Sequence, residues 1–495
     1  MSTHTLSRSV VIVLTIVASA ACAGEPAGSL ESAAQALRSN DARTLEYAGT
    51  GRWFQFGQAP VPGGPWPAFD VSSFTAAINY DTSAARVQMT RLQVVEANRV
   101  RPAPVEQRPV QLVSGGQAWN MVAPPGGSPD TPPVPQPQPE AAEERTMEIW
   151  TTPQGFLRAA AANKATSRPS DGGSEISFTV DGKRRYVGWI NVQNQVERVH
   201  TWIDNAVMGD TPVEVDYSEY RDFAGVMFPG RIVRRQGGHP VLELAVTSVT
   251  INPAVDIPVP EQVRSFKPPP VSVAVEKLAD GVYYLKGGSH HSVAIDQADH
   301  IVVVEGPQNE ARSDAVIAKV KETIPNKPIR YMVNSHAHFD HSGGLRTYVA
   351  EGATIVTHGF NEGFYKQAWT APRTLNPDKM AQANTTATFE TFTDKHTLTD
   401  GRRAIEIHPI DGSGHNDGFV MVYLPAEKIL IEVDAWAPLA PNAPPPAAPS
   451  PFAVNLYENI HRLKLDVRQI AALHGPRVAT LADLRSAIGQ TAGAR

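Results

Sequence analysis

The segment NSHAHFDHSGG, residues 334–344, contains three histidines and an aspartate within six positions, followed by two glycines. His336 and His338 are two residues apart, so at the end of an extended segment both imidazoles project to the same side. Asp340 and His341 follow the turn and can face the same cavity from another direction. Imidazole and carboxylate together suit zinc or a similar first-row ion, and four such groups exceed what one catalytic ion usually takes from protein. The segment therefore predicts a site for two metal ions.

Three further candidate ligands lie downstream, each at the end of an apolar, strand-like run. His415 lies in the glycine-rich turn GSGHNDG, Asp434 follows FVMVYLPAEKILIEV, and His474 follows QIAAL. Open α/β sheets place ligands beside strand termini, so these residues could reach the same cavity. Taken singly each is a weak signal, because a lone histidine or aspartate at a strand end is more often hydrogen-bonded or exposed.

The order of the motifs HAHFDH, GSGHNDG, LIEVD and LHG closely resembles the metallo-β-lactamase-fold hydrolase superfamily over about residues 274–490. The resemblance implies an αββα sandwich with a two-metal site between its sheets. It also implies which residues hold the ions: His336, His338 and His415 for one, Asp340, His341 and His474 for the other, and Asp434 as the bridge.

The residue type at Asp434 bears on the branch of that superfamily. Some true β-lactamases have cysteine at the corresponding position, but the only cysteine of this chain is Cys22, near the N-terminus. A bridging aspartate resembles the glyoxalase II, lactonase and phosphodiesterase branches. The resemblance thus weakens an antibiotic-hydrolysing role and leaves β-lactams as one of several substrate classes.

Such a site, together with an N-terminal segment typical of an export signal, predicts an exported dinuclear hydrolase. Two divalent ions can share a water, lower its pKa towards about 7 and supply a bridging hydroxide as the nucleophile. We expect Asp340 to be a ligand and also the catalytic group that aims this hydroxide by accepting its hydrogen bond. The expected substrates contain an ester, thioester, lactone or amide bond, including that of a β-lactam. Zinc is the expected metal, with iron and manganese as alternatives.

Two other functions fit the sequence. One is hydrolysis of phosphodiesters or sulfate esters, although no dedicated basic clamp is evident. The other is a non-catalytic periplasmic lipid- or envelope-binding protein whose metal site is structural. The second is disfavoured because structural zinc sites are usually closed by four ligands, whereas two ions that share about seven leave room for water.

The sequence offers only weak candidates for contact with substrate. The Pro/Ala-rich segment 434–452 begins at the predicted bridging ligand, so Trp436 and Phe452 could form apolar walls of the pocket. His358 ends a predicted strand, and Tyr365 follows it in a segment that could cover another side. Three remaining histidines are assigned to solvated loops or strand surfaces: His290, His291 and His408.

Length and composition limit the classes of protein and partner. A chain of 495 residues is too long for one ordinary compact core and predicts at least two domains. Its apolar content of 42% and net charge of −6 indicate a mildly acidic globular protein without the basic field that nucleic-acid binding requires. The expected partner is a small-molecule substrate, and no nucleic acid is expected.

The later part of the chain predicts a layered α/β domain over residues 274–495. Strand-like runs such as HIVVVEGP alternate there with amphipathic helical runs such as ARSDAVIAKVKETI. Residues 266–273 contain three consecutive prolines, which predict a stiff connector before this domain.

Residues 29–265 predict a mostly antiparallel β domain. Runs such as TLEYAGTGRWFQFG and HPVLELAVTSVTI are rich in β-branched and aromatic residues and are separated by turn residues. The Pro-rich residues 123–144 are predicted to form a mobile surface loop without a strand, because proline lacks the amide donor. The last strands weakly resemble half-barrel sheets of the lipoprotein-carrier type, which implies a concave face for acyl chains; a scaffold that shields the catalytic domain is an equal alternative.

Residues 1–23 are typical of an export signal. Arg8 precedes the apolar run VVIVLTIVASA, which is too short for a membrane span, and small residues follow. Cleavage could follow Ala20 or Ala23, or Cys22 could be lipidated. A soluble periplasmic or secreted protein is favoured over one anchored in the outer membrane through Cys22.

Overall fold

The computed structural model of the protein describes residues 28–124, 131–440, 443, 446 and 448–490. The predicted export signal, including Cys22, lies outside these residues. Within the described ranges, no helix is both long enough and apolar enough to cross a membrane.

The first part of the chain forms one 13-stranded sheet in which each strand pairs antiparallel with its neighbours. The antiparallel sheet predicted for this region is therefore confirmed. The two ends of the chain segment meet in the middle of the sheet, where the first strand pairs with the last. The strands are β1 (Thr44–Phe54), β2 (Ala68–Asn79), β3 (Ala84–Gln93), β4 (Val110–Ser114), β5 (Gln117–Val122), β6 (Val134–Pro137), β7 (Thr166–Ser170), β8 (Gly173–Val180), β9 (Arg184–Asn191), β10 (Val196–Asn205), β11 (Gly209–Asp222), β12 (Met227–Gln236) and β13 (His239–Ile251).

One face of this sheet is covered by helices. Alternate residues of β2, Phe74, Ala76 and Ile78, share the face that packs in one core with Leu37 and Phe156. The sequence analysis did not predict the two helices of residues 142–162. The helices are α1 (Leu30–Ala36), α2 (Ala142–Thr151) and α3 (Pro153–Ala162), followed after the sheet by α4 (Glu261–Arg264).

The prediction of a loop without a strand over residues 123–144 was wrong for its second half. Residues 134–137 form β6 at the edge of the sheet, and α2 already begins at Ala142. An edge strand needs a hydrogen-bonding partner on one side only, so Pro135 and Pro137 can turn their missing N–H groups away from the ladder. Residues 125–130 of this segment lie outside the described ranges.

The second part of the chain is an αββα sandwich, as predicted. Its core between the sheets combines residues such as Val302 and Val304 of one sheet with Ile407 and Ile431 of the other. The first sheet contains β14 (Ala274–Ala279), β15 (Val282–Lys286), β16 (Ser292–Asp296), β17 (Ile301–Val304), β18 (Ile329–Val333), β19 (Thr354–His358) and β20 (Phe389–Phe392). The second contains β21 (His396–Thr399), β22 (Ala404–Pro409), β23 (Val420–Leu424), β24 (Ile429–Glu432), β25 (Gln469–Ala472) and β26 (Val478–Thr480).

Helices cover the outer face of each sheet. Ile317 and Tyr348 pack on Met332 and Ile355 of the first sheet, whereas Leu456 belongs to the core on the side of the second. The helices are α5 (Glu310–Thr323), α6 (Phe339–Ser342), α7 (Leu345–Ala350), α8 (Gly359–Ala368), α9 (Lys379–Ala383), α10 (Pro451–Arg462) and α11 (Leu481–Ala487).

A buried polar contact joins the N-terminal sheet to the sandwich. The carboxylate of Asp210 in β11 accepts hydrogen bonds from the backbone N–H of Thr374 (2.8 Å), its hydroxyl (2.6 Å) and the N–H of Leu375 (3.1 Å). The neighbouring Arg373 donates to the carbonyl oxygen of Val207 at 2.9 Å. Because Asp210 and Arg373 are each only 8% exposed, these bonds form away from competing water.

Replacement of Asp210 by alanine is expected to lower the free energy of unfolding by about 2 kcal/mol, since three donors lose a charged acceptor. Urea denaturation followed by tryptophan fluorescence measures this loss. The matched control is Asp171→Ala, which removes an exposed carboxylate from a turn and should change stability by less than about 0.5 kcal/mol. Equal stability of the two variants would contradict the contact.

Candidate metal centre

The fold brings strand ends from both sheets of the sandwich to one edge. His336 and His338 follow β18, which lies between two parallel neighbours in the first sheet. Asp434 and His474 follow β24 and β25, which run parallel in the second sheet, and His415 lies in the turn between β22 and β23. Because parallel strands end at the same edge, ligands far apart in sequence meet there.

One group of side chains contains His336, His338, His415 and Asp434. Their ligand-type atoms all lie within 4.8 Å of one another. The Nε2 atom of His415 is 3.2 Å from Nε2 of His336 and 3.0 Å from Oδ2 of Asp434. The Nδ1 atom of His338 is buried and has no hydrogen-bond partner among the described residues, so a cation would satisfy an otherwise costly buried acceptor.

A second group contains His290, Asp340, His341 and His474, again with ligand-type atoms within 4.8 Å of one another. Oδ2 of Asp340 lies 3.2 Å from Nε2 of His290 and 3.4 Å from Nε2 of His341. The rings of His290 and His474 are stacked, with centroids 4.1 Å apart. Imidazole and carboxylate groups are the donors that zinc and similar ions take, so each group fits a divalent metal.

Asp434 contacts both groups. Its Oδ2 is 3.4 Å from Nε2 of His336 in the first group and 3.0 Å from Nε2 of His341 in the second. Its Oδ1 is 2.8 Å from Nδ1 of His474. The carboxylate is thus placed where a single side chain could bridge two ions.

Burial keeps two histidines of the first group, His336 and His338, unprotonated. It lowers the pKa of His336 to about 3 and the pKa of His338 well below its usual value. A neutral imidazole has a lone pair available for a metal. These two side chains are therefore already in the protonation state that ligation requires at neutral pH.

The two carboxylates are held ionised. Although burial opposes ionisation of Asp434, the charge on His341 and the hydrogen bond from His336 keep the pKa of Asp434 well below its usual value. Burial also opposes ionisation of Asp340, but hydrogen bonds with His290 and His341 lower its pKa. Conversely, the charges of both carboxylates raise the pKa of His341, against the effect of burial.

Buried groups beneath the cluster hold the loops that carry it. The carboxylate of Glu305 lies 3.9 Å from Nδ1 of His341, and burial raises the pKa of Glu305 to about 7. The amide of Asn334 donates to the carbonyl oxygen of His336 at 2.9 Å. Glu432 accepts backbone N–H bonds from residues 435 and 436, which shapes the turn after Asp434.

The structure brings all seven sequence-predicted ligand candidates together and adds His290. The assignment of His290, His291 and His408 to solvated positions was wrong, because all three are buried. His291 hydrogen-bonds with the carbonyl oxygen of Gly475 at 2.8 Å, and His408 pairs with Glu406. The sequence did contain one signal that His290 could be a ligand, which is its position in GGSHHS after a strand. The same position applies to His291, so the local sequence does not show which of the two histidines is the ligand candidate.

The candidate substrate contacts fall in different places. Tyr365 is fully buried and donates to Oδ1 of Asn334 at 2.6 Å, so it supports the ligand loop from below. Trp436 is 7% exposed and packs in the sandwich core. The buried His358 caps α8 outside both ligand groups. The ring of Phe452 lies 5.5 Å from that of His415, beside the site.

No curated protein matched the sequence. The solved structures that match this chain include a metallo-beta-lactamase from Pontibacter korlensis, which is 18% identical; the match covers 44% of this chain and 98% of that protein, with a TM-score of 0.34. A metallo-beta-lactamase from Hirschia baltica is also 18% identical over 44% of this chain and 96% of its own, with a TM-score of 0.34. FIM-1 from Pseudomonas aeruginosa, in a mono-zinc form, is 19% identical over 44% of this chain and 95% of its own, with a TM-score of 0.31.

The sequence of the sandwich also matches a family model. Residues 285–431 match the model described as the metallo-beta-lactamase superfamily, and this range includes six of the eight side chains of the two groups as well as most of the first sheet. Residues 285–431 are therefore part of a metallo-β-lactamase superfamily domain.

Proposed function

We propose that this protein is a dinuclear metal-dependent hydrolase that cleaves an acyl bond: an ester, thioester, lactone or amide, the amide of a β-lactam included. The observation that carries the proposal is the pair of ligand groups joined through Asp434. A structural zinc site is usually closed by four ligands, whereas eight donor side chains in two groups exceed the needs of one ion. One ion is assigned to His336, His338 and His415, the other to His290, Asp340, His341 and His474, and Asp434 to both.

Bound divalent cations supply a water of lowered pKa near 7 and polarise the oxygen of the bond to be cleaved. Zinc is the proposed metal, and iron or manganese would suit the same donors. The chain's own contribution is to hold neutral imidazoles and ionised carboxylates at fixed positions, so that little reorganisation accompanies the reaction.

The exposure of the side chains indicates how substrate reaches the site. The side chains of Asp340 and His474 are 32% and 41% exposed, whereas that of His336 is fully buried. Solvent and substrate therefore reach the site from the side on which the second group lies. Asp340 is the proposed catalytic residue, because its ionised and accessible carboxylate can accept a hydrogen bond from the attacking water and orient it.

The charges around the site favour acyl over phosphoryl or sulfuryl substrates. Among the described residues, no lysine or arginine forms an ion pair with Asp340 or Asp434. A phosphodiester or sulfate ester usually requires cationic side chains that compensate its anionic oxygens. Hydrolysis of those esters is the alternative activity, and the substrate panel below distinguishes it from hydrolysis of acyl bonds.

The first test is hydrolysis of a substrate panel with and without a chelator. The panel contains p-nitrophenyl acetate, a thioester, a γ-lactone, a β-lactam, bis-p-nitrophenyl phosphate and p-nitrophenyl sulfate. We expect turnover of at least one acyl substrate, loss of about 100-fold or more in rate after metal removal, and recovery with zinc. Turnover of the phosphate or sulfate alone would replace the proposed activity, and a metal-loaded protein that cleaves nothing would indicate a binding protein.

Histidine variants test the ligand assignment. His338→Ala should lower bound metal and turnover together, because Nδ1 of His338 has no other partner among the described residues. His290→Ala should weaken one of two sites by about 10-fold or more and leave the other occupied. Metal content by mass spectrometry is the measurement, and His461→Ala, on the exposed face of α10, is the control. Full metal content in the His338 variant would remove that residue from the site.

Residues 1–23 support a further proposal, that the protein is exported. We propose a periplasmic or secreted enzyme, with anchoring to the outer membrane through a lipidated Cys22 as the alternative. Mass spectrometry of the mature protein should show a chain that begins after Ala20 or Ala23. A lipid-modified Cys22 at the N-terminus would establish the alternative, and an intact leader would contradict export.

A further inference from the structure

The loop between β1 and β2, residues 55–67, reaches from the N-terminal sheet to the metal centre. The backbone N–H of Phe339, between two candidate ligands, donates to the carbonyl oxygen of Gly57 at 3.0 Å. The N–H of Asp417, two residues after His415, donates to the carbonyl oxygen of Pro60 at 2.9 Å. This loop is therefore bonded to ligand-bearing segments that follow strands of both sheets of the sandwich.

An aromatic cluster holds the loop in this position. The ring of Phe339 lies 5.3 Å from that of Phe56 and 5.7 Å from that of Trp66, both edge-on. Gly57 has a φ of +81°, and a Cβ there would lie 2.8 Å from the ring of Phe339. A side chain at this position would therefore push the loop away from the centre.

The carbonyl oxygen of Ala59 sets the tautomer of His338. It lies 3.2 Å from Nε2 of His338 and 3.0 Å from Nδ2 of Asn416. A carbonyl oxygen can only accept, so Nε2 of His338 carries the proton and its Nδ1 presents a lone pair. Nδ1 is the buried atom without a partner in the first group.

The side chain of Gln58 orients Asp340. Its Nε2 donates to Oδ1 of Asp340 at 2.8 Å, which leaves Oδ2 facing His290 and His341. An ionised carboxylate only accepts hydrogen bonds, so the amide nitrogen of Gln58 is the donor. Outer contacts of this kind fix the orientation of metal ligands and contribute to metal affinity.

We propose that the N-terminal sheet is an integral part of the metal centre: Gln58 is a positioning residue that orients Asp340, and the Ala59 carbonyl fixes the tautomer of His338. This inference rests on the proposed function, because it concerns ligands assigned there. It implies that the sheet contributes to catalysis directly, through one loop, and not only as a neighbouring module.

Gln58→Leu in the full-length chain is the main test, because leucine keeps a similar volume and removes the donor. Zinc affinity is measured by competition with a chromophoric chelator, and the cobalt-substituted protein is examined by visible absorption. We expect affinity at one of two sites to fall by about 10- to 100-fold, a changed cobalt spectrum and a lower kcat with little change in KM. Gln55→Leu, in the same loop, is the matched control and should stay within about 2-fold of the wild type.

A glycine pair provides an independent test that does not touch the Gln58 side chain. Gly57 and Gly63 have φ values of +81° and +75°, so alanine strains the backbone similarly at both. A Cβ at Gly63 would meet Phe364 no closer than 3.5 Å, an ordinary contact. Gly57→Ala should therefore weaken zinc binding, whereas Gly63→Ala should keep wild-type affinity.

The outcomes separate this inference from the proposed function. A wild-type protein that binds two ions, together with Gln58→Leu and Gly57→Ala variants of unchanged affinity and cobalt spectrum, would overturn the inference and leave the hydrolase proposal standing. A wild-type protein that binds none of zinc, iron and manganese would overturn both. Weakened binding in the two variants but not in their controls supports the inference even if the panel contains no substrate.

Discussion

The structure depends on one electrostatic constraint, which is the burial of the Asp434 carboxylate among imidazoles. This side chain is 9% exposed, and it lies close to nitrogen atoms of four histidines from the two ligand groups. A buried carboxylate is costly unless positive charge or hydrogen-bond donors surround it. The nitrogen atoms of these histidines meet part of this need, and cations held by the same side chains would meet it more fully. The cluster therefore has a built-in affinity for positive charge.

This constraint explains the polar groups beneath the ligands. Glu305, Asn334 and Tyr365 hydrogen-bond or pair with the loop that carries HAHFDH, and Glu432 does the same for the turn at Asp434. Such contacts hold each ligand in one orientation before any ion arrives, which reduces the entropy lost on binding. The sandwich thus provides rigidity below the site, while exposed Asp340 and His474 leave one side open.

The N-terminal sheet closes another side. Its loop 55–67 contacts the centre through Gln58 and Ala59, and Asp210 holds the same sheet to the segment before α9. The aromatic contacts of Phe339 make the interface between loop 55–67 and the metal centre partly apolar, which limits the access of water to the Ala59 carbonyl. Two regions with different folds therefore contact one cluster of candidate ligands.

The sequence by itself determined the ligand candidates and the layered fold and predicted the type of chemistry, because these depend on residue types at short spacing, such as HAHFDH, and on local periodicity. Only the tertiary structure decided that His290 joins the site while His291 does not, since adjacent histidines in GGSHHS differ only in the direction of their side chains. It also decided that residues 134–137 form an edge strand, because strand pairing depends on a neighbour and not on proline content alone. The contact between Gln58 and Asp340 spans 282 residues, and a hydrogen bond at that separation leaves no periodic pattern that a sequence could reveal.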